Sequence, residues 1–264
     1  MDLTSLAKPK IAILVAFLYT AFTGFGMFYT KAFRGITYGS PEMMNIFWFF
    51  VLVGFVMTAF VVTRYFGWSV VGFRKLDSRK LLWFTPYLAL LTVMWTLLLR
   101  GLATTSLSAA QWQLFAIAGF TTLFVGINEE VIYRGMLLHG FLKPNQVFKA
   151  VLFNGIGFSL LHSVNVFAGA PPVAIAFQLF STFLFGLVFG LMMLKLNHIL
   201  PLILFHWFWD FALFTAPIVS PQVATTVSRI SAAIYPIEIV VGVLLWLNLR
   251  KKQDAILDKI GITF

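Results

Sequence analysis

The chain has 264 residues, of which 60% are apolar and 11% charged, and its mean hydropathy is +0.92. Soluble globular proteins have about 45–50% apolar and about 25% charged residues, so this composition excludes a soluble protein and predicts an integral membrane protein. The chain has no cysteine, which excludes disulfides, zinc–thiolate sites, iron–sulfur clusters and thiol nucleophiles. The net charge of +10 comes from short loops between apolar runs rather than from one face, so we expect no nucleic-acid partner.

Long apolar runs follow one another along the chain. A helix needs about 20 apolar residues to cross the ~30 Å core of a bilayer. Runs of this kind predict an all-α polytopic integral membrane protein with about eight transmembrane helices, at approximately Ile11–Tyr29, Ile46–Val62, Leu81–Leu99, Trp112–Leu138, Val151–Phe167, Val173–Leu194, Ile199–Phe214 and Ala232–Leu249. No stretch remains for a soluble domain, so residues 1–264 are predicted to form a single membrane domain. The first run is expected to be a retained signal anchor, since no clear cleavage site follows it.

The basic residues are unevenly divided between the two sets of predicted loops. Of the 19 Lys and Arg residues, only Lys31, Arg34, Arg100 and Arg229 lie in loops on the side opposite the termini. Short loops rich in Lys and Arg stay in the cytoplasm. Both termini are therefore predicted to be cytoplasmic, in a multi-pass protein of the cell membrane.

Several ionisable side chains interrupt the apolar spans. Such groups are costly at depth, about 2.5–3.5 kcal/mol each on insertion scales, and are candidates for function. They are Glu129, Glu130 and Arg134 in the fourth span, His162 in the fifth, His206 and Asp210 in the seventh, and Glu238 near the start of the eighth. Glu238 follows Pro236 near the outer end, and we expect its carboxylate to snorkel to that interface.

The spacing of the acidic residues in the fourth span indicates that Glu129 and Glu130 have different roles. Glu130 and Arg134 are four residues apart and share a helix face, so they are expected to form a desolvated ion pair. Glu129 faces another direction, which leaves its carboxylate free for chemistry. The alternative is a wholly structural polar cluster at the helix end.

The histidines extend this pattern to two further helices. Phe158 lies one turn before His162 and is expected to limit how that imidazole turns, whereas Asp210 lies one turn after His206 and can accept from it. Mutual satisfaction of buried polar groups is the alternative. The histidines lie about 11 and 7 residues into helices that start at the cytoplasmic side. One carboxylate and two imidazoles can therefore meet in a cavity that opens to the cytoplasm and can activate water.

Three motifs in chain order resemble those of one protein family. Residues 129–134 (EEVIYR) are similar to its EExxxR motif, residues 158–162 (FSLLH) to FxxxH, and residues 206–210 (HWFWD) to HxxxN/D. On these motifs the chain resembles the CPBP family, also called Abi. This family comprises intramembrane glutamic proteases related to the Ras-converting CAAX endopeptidase and includes members linked to bacteriocin self-immunity. The motif-bearing core is residues 112–214, on the predicted fourth to seventh helices.

The resemblance implies a metal-independent peptidase without a cofactor. Its substrate would be a membrane-associated or lipidated peptide or protein, cleaved near its C-terminal region. By motif, Glu129 would be the general base, His162 would hold and polarise the attacking water, and His206 with residue 210 would stabilise the oxyanion. The CAAX enzymes have Asn where this chain has Asp210, and an ionised Asp cannot donate. Either Asp210 is protonated, or it holds His206 in one tautomer and leaves His206 as the sole side-chain donor; we favour the second.

Rival functions use the same residues. A non-catalytic membrane partner, such as a bacteriocin self-immunity protein or a regulator of a sensor kinase, would keep the scaffold and bind another membrane protein. A metal-dependent hydrolase has suitable ligand types, but HExxH is absent and Arg134 would oppose a cation. A proton-coupled transporter is disfavoured because no repeat of broken helices is evident.

Overall fold

The computed structural model describes residues 8–251, which contain helices and no β-strand. The α-helices are α1 (Pro9–Arg34), α2 (Met44–Val61), α3 (Thr85–Thr104), α4 (Ala109–Glu129), α5 (Leu138–Phe141), α6 (Val147–Leu161), α7 (Pro172–Leu196), α8 (Leu200–Val219), α9 (Pro221–Ser231) and α10 (Ile234–Leu249). Short 3-10 segments lie at Pro41–Met43, Ser78–Phe84 and His162–Ala168, and π-helical segments at Val62–Phe66 and Glu130–Leu137. The predicted all-α class is confirmed.

Eight helical stretches within the described residues are long and apolar enough to cross a membrane, which confirms the predicted number. They are Pro9–Arg34, Pro41–Phe66, Ser78–Thr104, Ala109–Phe141, Val147–Ala168, Pro172–Leu196, Leu200–Val219 and Pro221–Leu249. All eight are longer than the apolar runs that predicted them, because residues at the helix ends also take part in the helices. The predicted cytoplasmic termini, with Lys252 and Lys259, lie outside the described residues.

Local signals set where the helices of the motif-bearing core begin and end. The Ser108 side chain accepts from the backbone N–H of Gln111, and the Gln111 side chain accepts from that of Ser108 at 2.9 Å, a reciprocal cap that starts α4. Asn197 has a left-handed conformation, with φ of 55°, and ends α7. A short turn then reverses the chain into α8.

Successive spans run in opposite directions, so the loops between them lie alternately at the two ends of the bundle. At one end, which we call the basic end, the N–H of Ile199 donates to the carbonyl of Gly72 at 3.0 Å. At the other, which we call the Tyr38 end, the N–H of Tyr38 donates to the carbonyl of Ala168 at 2.9 Å. The basic end carries Lys8 and the loops 67–77, 142–146 and 197–199, and the Tyr38 end carries the loops 35–40, 105–108 and 169–171.

Close contact between α4 and α8 brings two of the three motifs together. A Cβ on Gly126 would lie 3.2 Å from the carbonyl oxygen of Ile203 and from the backbone nitrogen of Trp207, so any larger residue would push α8 away by a few tenths of an ångström. The Trp207 indole N–H donates to the carbonyl of Gly119 at 2.9 Å and fixes the rotation of α8. Glu129 and Glu130 follow Gly126 on the chain and therefore face α8 at the level of His206.

Candidate active site

Glu130 and Arg134 form the expected ion pair at the start of the π-helical segment. Arg134 Nη1 lies 3.3 Å from Glu130 Oε1, and neither side chain is exposed. The guanidinium carbon lies 3.9 Å from the centroid of the Phe158 ring, within the range of a cation–π interaction. A π-helical turn within a helix is often found at functional sites. The pair links α4 to α6 behind the cavity described below.

His206 is surrounded by the three carboxyl groups of the motifs. Its Nδ1 lies 2.9 Å from Glu130 Oε1, and its Nε2 lies 3.5 Å from Asp210 Oδ2 and 3.8 Å from Glu129 Oε2. The sequence predicts that Asp210 sets the tautomer of His206, and in the structure two carboxyl groups besides Asp210 also lie near this ring. Glu130, also paired with Arg134, takes the Nδ1–H, and Asp210 lies beside the opposite ring nitrogen. Because His206 and Asp210 are both on α8, the orientation of the imidazole ring decides which nitrogen faces Asp210 and which faces Glu130.

His162 is held by its own helix. Its Nδ1 lies 3.0 Å from the carbonyl oxygen of Phe158, and because a carbonyl only accepts, Nδ1 carries the hydrogen. The Phe158 ring lies 4.9 Å from the imidazole, centroid to centroid, and restricts its rotation as the sequence predicts. His162 also begins the 3-10 segment that follows α6. The free Nε2 lone pair is thereby left as an acceptor.

A cavity of about 410 Å³ brings the four candidate catalytic residues together. Its lining includes Glu129, His162, His206 and Asp210, so one wall presents two carboxyl groups and two imidazoles. Glu129 Oε2 is buried and has no hydrogen-bond partner within the described chain. Of the supporting residues, Phe158 lines the cavity, whereas Glu130 and Arg134 lie behind it. The volume is in the range of small-molecule and peptide pockets.

The mouth of the cavity lies at the Tyr38 end of the bundle. Its lining includes Tyr38 and Gly39 from the loop after α1 and Asn165 from the end of the fifth span, and no residue of the basic-end loops. The sequence-based prediction placed the opening on the side of the termini. The lining residues named above lie toward the end opposite Lys8.

Aromatic packing closes the cavity toward the basic end. Phe84, Tyr87, Phe189 and Phe205 are buried there, and their ring centroids lie 5.4–5.8 Å apart in edge-on or tilted contacts. Together with the buried pair of Glu130 and Arg134, these rings fill the bundle on that side. The sequence does not predict that these rings close the basic end of the cavity, because they come from three separate helical stretches.

Residues 110–212 match the family model described as type II CAAX prenyl endopeptidase Rce1-like. This core is similar to the Rce1-like family. The matched segment of the Rce1-like core contains all three motifs, which confirms the resemblance at family level and supports peptidase activity of the CAAX type. No curated protein and no solved structure matched the chain.

Sequence reasoning missed a chain of polar groups at the mouth of the Rce1-like core. Asn165 donates to the Gln178 side chain at 3.0 Å, and Gln178 donates to the Tyr38 hydroxyl at 2.9 Å. Burial raises the pKa of Tyr38 to about 12, so the hydroxyl stays protonated and can donate into the cavity. Two signals for this polar chain were available in the sequence. Asn165 lies one turn after His162, and Gln178 is the lone polar residue in the run PVAIAFQLF.

Of the ionisable residues in the spans, Glu238 has the position that differs most from the one predicted from the sequence. It lies on α10, outside the matched segment, and was expected to reach the outer interface. Its side chain is instead 1% exposed and lines the cavity. The eighth span is divided into α9 and α10, and α10 packs along α7, which turns Glu238 inward.

Proposed function

We propose that this protein is an intramembrane glutamic endopeptidase in which Glu129 is the general base. One observation carries the proposal: in the cavity of an Rce1-like core, the unpartnered Glu129 carboxylate lies 3.8 Å from His206 Nε2. An unpaired carboxyl group at membrane depth is costly and is typical of a functional site. The reaction uses only side chains of this chain and requires neither metal nor cofactor.

A water molecule between Glu129 and His162 is the proposed nucleophile. His162 Nε2 presents a lone pair because Nδ1–H donates to the Phe158 carbonyl. The water donates one hydrogen to each residue and turns its oxygen lone pair toward the substrate carbonyl carbon. Glu129 removes a proton as the oxygen attacks, and later gives that proton to the leaving amide nitrogen as the C–N bond breaks. The products are a carboxylic acid and a free amine.

His206 is proposed to stabilise the oxyanion of the tetrahedral intermediate. Glu130 accepts from Nδ1–H, so Nε2 can donate when His206 is an imidazolium, whose charge faces Glu129, Glu130 and Asp210. We propose that Asp210, 3.5 Å from Nε2, orients this N–H rather than donating to the oxyanion itself. His206 is then the single side-chain donor.

The substrate is proposed to be an extended segment of a membrane-associated or lipidated peptide or protein, cleaved near its C-terminal region. It would enter at the Tyr38 end, where the cavity has its mouth. The basic residues support a cytoplasmic basic end. We therefore propose that the cavity opens to the extracytoplasmic side of the cell membrane.

Hydrolysis by the purified protein tests the proposed activity. A panel of quenched fluorescent peptides, prenylated CAAX-type and unmodified apolar, is expected to contain at least one substrate, and its cleavage is expected to survive a chelator. Loss of cleavage with the chelator, restored by a divalent metal, would contradict the metal-independent mechanism. A folded protein that cleaves none of the peptides would favour the non-catalytic membrane partner.

Single cysteines test the proposed orientation, since the natural chain has none. Thr37→Cys at the Tyr38 end and Ser69→Cys at the basic end both replace exposed residues. In intact cells, a membrane-impermeant maleimide is expected to label the first and not the second, and both should react after lysis. The reverse pattern would place the cavity mouth in the cytoplasm.

A further inference from the structure

Glu238 is a second unpartnered carboxyl group in the cavity, separate from the residues of the proposed mechanism. The side chain is 1% exposed, it lines the cavity, and its Oε2 has no hydrogen-bond partner within the described chain. No ion pair of Glu238 is found among residues 8–251. It lies on α10, whereas Glu129, His162 and His206 lie on three other spans. Glu238 is therefore a buried acidic residue that has no ion pair within the described chain and no role in the proposed mechanism.

Among the described residues, no Lys or Arg lines the cavity, although the net charge of the chain is +10. Glu129, Asp210 and Glu238 line it with two histidines, of which His206 already faces three other carboxyl groups. Arg134 is paired with Glu130 behind the cavity wall. A basic side chain of a molecule that occupies the cavity would therefore supply a cation that the described chain does not place beside Glu238.

We propose that Glu238 forms a specificity subsite that binds the Lys or Arg side chain of a peptide substrate. The proposal rests on the proposed peptidase function and names the chemistry of its substrate. A charge-assisted hydrogen bond in a desolvated site is stronger than a neutral one, so an isolated buried carboxylate discriminates a basic side chain from an apolar one of the same length.

The neighbouring lining suits the rest of such a side chain. Ile234 and Tyr235 lie one turn before Glu238 on α10 and line the same cavity. Apolar and aromatic surface of this kind packs against the methylene stem of Lys or Arg while the charged head reaches the carboxylate.

Binding to a catalytically silent protein tests the subsite without turnover. In the Glu129→Gln background, we measure the affinity of fluorescent apolar decapeptides that carry one Lys, moved along the sequence, or norleucine in its place. At one position Lys is expected to bind at least about tenfold more tightly than norleucine, and Glu238→Gln is expected to abolish that ratio. Norleucine-peptide affinity should change less than about twofold, since no charge is involved.

Two further variants separate charge from structure. Glu238→Asp retains a carboxylate and is expected to restore part of the Lys preference. Glu42→Gln removes an acidic residue near the Tyr38 end that does not line the cavity, and should leave the preference intact. A Lys preference that persists in Glu238→Gln, or that is absent from the parent protein at every position, would overturn the subsite, as would failure of all the peptides to bind.

The subsite and the proposed function fail in different ways. Cleavage by the wild type with a Lys to norleucine ratio of kcat/KM that Glu238→Gln does not alter would retain the peptidase and reject the subsite. Glu238-dependent binding of the Lys peptide by a protein that cleaves no peptide would retain the subsite and reject the peptidase.

Discussion

Glu129→Gln is expected to abolish peptide cleavage while the protein remains folded. The amide keeps the shape of the side chain but cannot take a proton from water. Losing a general base lowers kcat by about 10²–10⁴-fold, which we would measure on the best peptide of the panel. Because Glu129 Oε2 has no hydrogen-bond partner in the described chain, the variant loses no bond at that atom and its unfolding temperature should not fall.

Glu42→Gln is the matched control for this experiment. Glu42 lies in the short 3-10 segment before α2, where Ser40 donates to it, and it is not part of the cavity lining. The control is expected to stay within about twofold of the wild-type kcat, as is usual for a change outside the site. Cleavage by Glu129→Gln at the wild-type rate would show that another group is the base.

The number of spans was predictable because the bilayer imposes one length on every crossing helix. Charge-free runs of about 20 residues are rare in soluble chains, so each run indicates one span. Helix ends were less predictable, since they depend on caps such as the reciprocal contact of Ser108 and Gln111. Hydropathy did indicate the division of the eighth span, since the predicted run Ala232–Leu249 contains α10 and leaves out the more polar α9.

The members of the candidate site were predictable, and their pairing was not. Glu129, His162, His206 and Asp210 are conspicuous because polar groups are costly within apolar spans. Which nitrogen of His206 meets which carboxylate depends on the orientation of its ring and on the packing of α8 against α4. Contacts such as that of Gly126 with the backbone of α8 set this packing. The side of the cavity mouth likewise depends on packing between distant helices.

Glu130→Ala is expected to destabilise the protein strongly. Arg134 is fully buried, and its three side-chain nitrogens have no hydrogen bond within the described residues. The positive charge of Arg134 is compensated by the carboxylate of Glu130 at 3.3 Å and by the ring faces of Phe158 and Phe185 at 3.9 and 5.2 Å. Removing one partner of a buried ion pair costs about 3–5 kcal/mol of unfolding free energy, which denaturation in mixed micelles would measure.

A double-mutant cycle identifies the cause of this loss. Glu130→Ala with Arg134→Met removes both charges, so the double variant should be more stable than the sum of the two single changes predicts. Additive losses would instead show that Arg134 does not depend on Glu130.

Glu130→Gln separates stability from chemistry at the same position. Its amide oxygen can still accept from His206 Nδ1–H, so this variant should be more stable than Glu130→Ala. It also removes one of the three carboxyl groups around His206. If the imidazolium is the oxyanion donor, as proposed, this variant should retain its fold and still lose activity, because the charge of Glu130 no longer supports the positive ring.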